Sequence, residues 1–270
     1  MLQNLHTHTN MCDGKNSPEE MIEKAIALGF DSLGFSAHSQ TVFNTDWELK
    51  DLCGYVNKIS SLKEKYKGII NIYLGAELDY FTAPNTFNIK FDYTIGSVHM
   101  CKVGDIQVDF DHTAEISQKH INETFGKDSA AYVKAYYDLV SDLANKIDFD
   151  IVGHFDLITK FSEKHPELFD ADSNSYKKLA LEALHAIREK KDLFEVNTGA
   201  ISRAHRTTPY PAPFILDEMK ALKCKLVLTS DCHEASWLDC NFKEAKEYIK
   251  AHGFDTLYYL TEKGFKGEKI

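Results

Sequence analysis

The chain has 270 residues, 43% of them hydrophobic, so it can bury a core of its own and fits one barrel-sized unit spanning 1–270. Its 31 basic and 41 acidic side chains leave a formal charge of −10, which argues against a nucleic-acid surface; an anionic ligand needs positive charge concentrated locally. No apolar run approaches the roughly 18 residues of a membrane span and no signal-peptide pattern is present, so the expectation is a cytoplasmic protein with no membrane partner. The six cysteines form no C-x-x-C pair and are expected to be free thiols.

In chain order, short apolar runs alternate with helical patterns, which predicts β/α units around a parallel sheet. Strands are expected at Leu2–His6, Ser32–Ser36, Ile69–Ala76, Tyr93–Val98, Ile151–His154, Leu193–Asn197 and Leu226–Ser230, with a further apolar run at Thr256–Leu260. Ser17, Pro18 and Glu20 signal the first helix as N-cap, first turn and capping box. Val133, Tyr136, Tyr137, Val140, Leu143, Ala144 and Ile147 form one apolar stripe and predict a helix over Ala130–Ile147. Other helices are expected near Leu49–Tyr66, Ser175–Lys190, Pro213–Leu222 and Phe242–His252. Phe81–Lys90 is too short and too rich in Pro, Asn and Thr for a good helix. Lys102–Lys127, long, polar and weakly periodic, is expected to be a loop covering the site.

The apolar runs end in metal-ligand types. His6-Thr7-His8 places two imidazoles on one face, because strand residues i and i+2 point the same way. Asp13, His38, Glu77, His99, His154, Asp231 and His233 follow at or just after later strands. A single His-x-His is weak evidence, and any one of these residues could be satisfied by a backbone group. Nine together, each costly on an apolar strand, imply a shared purpose. Imidazoles with carboxylates suit Zn, Fe or Mn, and nine ligands exceed the needs of one tetrahedral ion, so two or three divalent ions are expected. The remaining histidines read as ordinary: His112, His120, His165 and His252 as surface residues and His185 as surface or packing, with His205 a candidate for lining a pocket. After the Leu193–Asn197 run, Arg203 and Arg206 could fork onto a phosphate, with Lys160 as a further candidate. Asp156 reads as a supporting acid.

Taken together, His6-Thr7-His8, Asp13-Gly14, Phe35-Ser36-Ala37-His38, Gly75-Ala76-Glu77, Gly96-Ser97-Val98-His99, Gly153-His154-Phe155-Asp156, Glu195-Val196-Asn197-Thr198 and Ser230-Asp231-Cys232-His233 resemble the polymerase-and-histidinol-phosphatase (PHP) family over essentially the whole chain. The resemblance implies an α/β fold, a distorted seven-stranded (β/α) barrel akin to the TIM barrel, with three metal ions. One ion would sit on His6, His8, Glu77 and Asp231. A second would share Glu77 with His99 and His154, and a third would use Asp13, His38 and His233. Asp13 stands where many members have histidine, which makes the third position richer in oxygen. The segment after Glu77 is shorter than in the related branch. Gly-Ser-Val-His, the stand-alone length and the Thr-Thr-Pro-Tyr-Pro turn resemble the branch that hydrolyses L-histidinol phosphate. That implies a small-molecule phosphate ester as substrate, metal-activated hydroxide attacking phosphorus, and Glu77 and Asp231 as catalytic residues. The alternatives are another phosphate mono- or diester, an amidohydrolase-type barrel, and a non-enzymatic scaffold. Glu77, His38 and His233 argue against the amidohydrolase, and the complete ligand set argues against the scaffold.

Overall fold

A computed structural model describes residues 1–43 and 45–270. Its strands and helices, in chain order, are β1 (Gln3–Asn4), α1 (Pro18–Ala27), β2 (Ser32–Phe35), α2 (Leu52–Lys65), β3 (Asn71–Asp79), β4 (Tyr93–Ser97), β5 (Met100–Val103), β6 (Ile106–Asp109), α3 (Ala114–Lys119), α4 (Ser129–Lys146), β7 (Ile151–Val152), α5 (Asn174–Arg188), β8 (Leu193–Asn197), α6 (Gly199–Ser202), α7 (Pro213–Ala221), β9 (Lys225–Thr229), α8 (Phe242–Ala251), β10 (Thr256–Thr261) and β11 (Gly264–Lys269). The main sheet runs β1-β2-β3-β4-β7-β8-β9, every pairing parallel. It nearly closes on itself: Thr7 bridges Cys232, with His8 N donating to Cys232 O at 2.8 Å and Cys232 N to His6 O at 3.0 Å. The fold is thus the expected α/β barrel of seven strands.

Two apolar layers hold it. Helices pack outside the sheet, α4 through Val133, Tyr136, Tyr137, Val140 and Leu143, as its stripe predicts. The barrel interior is filled by Leu5, Tyr73, Tyr93, Ile95, Ile151, Leu193 and Val227, with Leu260 closing one end. A Cβ at Gly34 would stand 2.4 Å from the Tyr93 hydroxyl and one at Gly75 2.4 Å from its ring, so glycine there makes room for that tyrosine. The capping box at α1 is present, Ser17 and Glu20 each bonding the other's backbone.

Two expectations change. Lys102–Lys127 is not one loop: it holds most of the antiparallel β5–β6 hairpin, then α3 and a turn of π-helix at His120–Thr124. Its short alternations were too brief to read against a polar background. The run at Thr256–Leu260 joins no barrel strand but pairs antiparallel with β11, whose mostly exposed, polar residues gave no strand signal. Phe81–Lys90 forms no α-helix, as expected, only a short 3-10 turn at Pro84–Asn88.

Candidate metal centre

All nine predicted ligands converge at the C-terminal ends of the parallel strands, the end where loops of such barrels meet. Glu77, 1% exposed on β3, is the hub. Its Oε1 lies 3.3 Å from His99 Nε2 and 3.0 Å from His154 Nε2. Its Oε2 lies 3.2 Å from His6 Nε2, 3.5 Å from His8 Nε2 and 2.9 Å from His38 Nδ1. Asp231 Oδ1 stands 3.5 Å from His6 Nε2 and 3.2 Å from His8 Nε2. Asp231 follows β9 with φ of 45°, a left-handed strain that aims its carboxylate inward. Asp13 Oδ2 reaches His233 Nε2 at 3.1 Å and His38 Nε2 at 3.5 Å, and Asp13 Oδ1 stands 3.6 Å from His8 Nδ1.

Ligands about 2.1 Å from an ion at tetrahedral angles stand roughly 3.4 Å apart, so these separations are those of donors facing a shared cation. His6 Nε2, His8 Nε2, Glu77 Oε2 and His154 Nδ1 are buried without any hydrogen-bond partner, which a bare polar cluster would rarely tolerate. The donor atoms assemble into four groups: His8, Asp13, His38 and His233; His6, His8 and Glu77; His6, His154 and Asp231; and His38, Glu77 and His99. These differ in detail from the expected partition, because His8 also faces the Asp13 group and His38 also faces Glu77.

The electrostatics of the protein alone favour charged partners. Burial opposes a charge on His6, yet Glu195, Glu77 and Asp231 hold its pKa well above the usual value. His38 is likewise raised against burial by Asp13 and Glu77, and His99 is raised to about 10 by Glu77 and Asp79. Burial, with His233 and His38 nearby, pushes His8 down to about 3. Against burial, surrounding imidazoles hold Glu77 and Asp13 well below the carboxylate range, and Arg203 with His6 does so for Asp231. The acids are therefore ionised, as ligands must be.

A second layer of residues fixes the ligands. Glu195, fully buried mid-strand in β8, accepts from His6 Nδ1 at 2.9 Å, Thr229 Oγ1 at 2.8 Å, Asn197 Nδ2 at 2.9 Å and the backbone N of His154. Asp79 accepts from His99 Nδ1 at 3.2 Å and from its backbone N at 3.0 Å, and Ser97 Oγ donates to Glu77 Oε1 at 2.7 Å. These roles were missed. The available signals were an acid inside an apolar strand (Glu195) and a second acid two residues from Glu77 on the same face (Asp79).

Above the cluster opens a cavity of about 360 Å³. Its walls include six of the ligands together with Trp47, Asp109, Asp111, Lys160, Arg203 and Trp237. Arg203 donates through Nη2 to Asp231 Oδ2 at 2.9 Å and through Nη1 to Asp231 O at 3.2 Å, leaving Nε unpartnered. Lys160 Nζ donates to Asp111 O at 2.7 Å and Oδ2 at 3.2 Å. Arg206 corrects the expectation: it is not part of this wall. It is buried against Thr159 and Asp156 (3.6 Å) and stacks over Tyr210 at 4.5 Å; between the two arginines the chain turns at Ala204, whose φ is 55°. His205 does not line the cavity either; it packs edge-on against Phe161, and burial with Lys160 and Arg203 nearby lowers its pKa to about 4. His112, read as a surface residue, is exposed but borders the cavity.

A nearly closed parallel barrel with a histidine cluster centred on a carboxylate at its C-terminal rim defines a metal-dependent hydrolase centre. The PHP domain matches residues 4–199, and the chain belongs to the PHP family. It is 28% identical to the "Probable histidinol-phosphatase" of Schizosaccharomyces pombe, over 97% of this chain and 90% of that one. It is also 28% identical to the histidinol-phosphatase of Bacillus subtilis, over 85% of this chain and 92% of that one. The solved histidinol phosphate phosphatase of Lactococcus lactis, complexed with zinc, L-histidinol and phosphate, superposes with a TM-score of 0.75 at 24% identity, covering 98% of both chains.

Proposed function

We propose that residues 1–270 act as one unit, a phosphatase that hydrolyses L-histidinol phosphate to L-histidinol and phosphate, a reaction of histidine biosynthesis. The observation that carries this reading is the Glu77-centred cluster beneath a cavity with a basic wall, joined to near-full-length similarity to histidinol-phosphatases. Six unpaired cysteines fit a reducing compartment such as the cytoplasm.

His6, His8, Asp13, His38, Glu77, His99, His154, Asp231 and His233 would hold three divalent ions, with zinc the first choice from the donor set and iron or manganese next. When bound, such ions supply Lewis acidity at phosphoryl oxygens and lower the pKa of water. The chain's own residues do the rest. Glu77 keeps two sets of imidazoles in register through its two oxygens. Glu195 and Asp79 hold His6 and His99 with Nδ1 as donor, so that Nε2 faces inward. Arg203, anchored on Asp231, directs its guanidinium into the cavity, and Lys160 adds a second positive charge to offset that spread over the phosphoryl oxygens. Asp231, ionised beside Arg203 and His6, would hold an ion through Oδ1 and seat Arg203 through Oδ2.

Phosphate release from L-histidinol phosphate, measured beside a panel of sugar phosphates, nucleotides and phosphodiesters, tests the reading. A kcat/KM of about 10⁴ M⁻¹ s⁻¹ or more, well above the panel, is expected. Equal and feeble rates across the panel would remove the histidinol assignment and move the search to other phosphoesters.

A further inference from the structure

One side of the cavity is built wrongly for a phosphate alone. Asp109, the last residue of β6, and Asp111 two residues on both line it, together with six of the candidate ligands. Asp111 is accounted for: despite burial its pKa falls to about 2 because Lys160 lies against it, and it holds that lysine by two hydrogen bonds. Asp109 has no such partner. Its Oδ1 accepts from the neutral Gln107 amide at 2.9 Å, and among the described residues no lysine, arginine or histidine pairs with it. A free carboxylate facing a phosphate pocket repels the ligand's anionic end, so its presence there discriminates only if the other end of the ligand is positive.

The contacts of the two acids differ: Asp111 holds Lys160 directly, whereas the Asp109 carboxylate bonds only the Gln107 amide. A phosphate seated on the ligands and Arg203 would send its alcohol half outward past Lys160 toward Asp109. The cavity is a ligand site on separate grounds: His154, 2% exposed, lines it with Nδ1 unpartnered. Both tryptophans of the chain, Trp47 and Trp237, border the same space, and Trp47 stacks edge-on to His38 at 4.7 Å.

We infer that Asp109 is a specificity-determining residue: it pairs with a positive group on the alcohol half of the substrate and selects phosphate monoesters of cationic amino alcohols over neutral ones. This rests on the phosphatase reading above and deepens it, since L-histidinol carries an ammonium group. Asp111 is a positioning residue that keeps Lys160 at the phosphate end.

The test compares wild type with Asp109→Asn, both zinc-loaded, on L-histidinol phosphate, phosphoethanolamine and 4-nitrophenyl phosphate. Expected is a fall of about tenfold or more in kcat/KM for the two amine esters, through KM, with the neutral ester within twofold. Fluorescence of Trp47 and Trp237 gives a readout without turnover: L-histidinol should bind the variant about tenfold more weakly. Equal losses on all three esters, or no loss on any, would overturn the role of Asp109. If wild type prefers phosphoethanolamine and the variant loses that preference, Asp109 stands and the histidinol assignment falls. If wild type prefers the neutral ester, both fall.

Discussion

Replacing Glu195 by glutamine tests the second layer with almost no change in shape. All four of its partners donate to it: His6 Nδ1 and Thr229 Oγ1 to Oε2, His154 N and Asn197 Nδ2 to Oε1. An amide offers one oxygen and one NH₂. With the oxygen on the Oε1 side, the His154 and Asn197 bonds survive. The NH₂ then meets Thr229, whose hydroxyl can turn to accept, and His6, whose Nδ1 must lose its hydrogen to accept. The opposite orientation would leave the His154 N–H and the Asn197 amide facing a donor, each costing about 1–3 kcal/mol, so the first orientation wins. Its consequence is chemical: His6 then carries its hydrogen on Nε2, the atom that faces Glu77 and Asp231. Metal affinity should fall on the order of 10–100-fold, while the metal-free protein loses only about 1–2 kcal/mol of stability. Competition with a chromophoric chelator measures the first quantity and thermal unfolding in EDTA the second. A variant that binds zinc as tightly as wild type, with the same fold, would refute the claim that Glu195 sets the His6 tautomer.

Three further outcomes follow from the same geometry. Glu77→Ala should lose bound metal and activity together, as shown by metal analysis on a variant whose circular dichroism is unchanged; a variant retaining both would sink its place as hub. In metal-free protein His99, raised to about 10 by Glu77 and Asp79 despite burial, adds stability that is fully present below the ordinary histidine pKa and lost as pH rises through about 10. The Tm in EDTA should therefore drop between about pH 6.5 and about pH 10, the window between the ordinary and the raised pKa, and a flat profile would contradict the His99 ion pairs. Arg206→Ala should act on stability, by about 3 kcal/mol, because it leaves the buried Asp156 carboxylate uncompensated. Urea unfolding that shows no loss, with KM for the phosphate ester raised instead, would return Arg206 to the phosphate site.

The sequence by itself determined where the barrel's apolar runs fall and which nine candidate ligands gather at its rim. Both depend on local periodicity: a strand alternates faces, so His6 with His8 and Asp231 with His233 declare a shared direction, and an imidazole after an apolar run declares a rim. The α4 stripe and the Ser17 cap were legible for the same reason. What only the tertiary structure decided is how those ligands are shared and what surrounds them. Arg203 and Arg206 are three residues apart and alike in sequence, yet one bonds Asp231 and the other faces Asp156, with the chain turning through a left-handed Ala204 between them. Glu195 reaches His6 across 189 positions, and Asp109 enters the cavity on a hairpin whose brief polar strands carry no periodic signal of their own. Contacts between distant segments exist only once the sheet has closed between Thr7 and Cys232, and no local pattern encodes that closure.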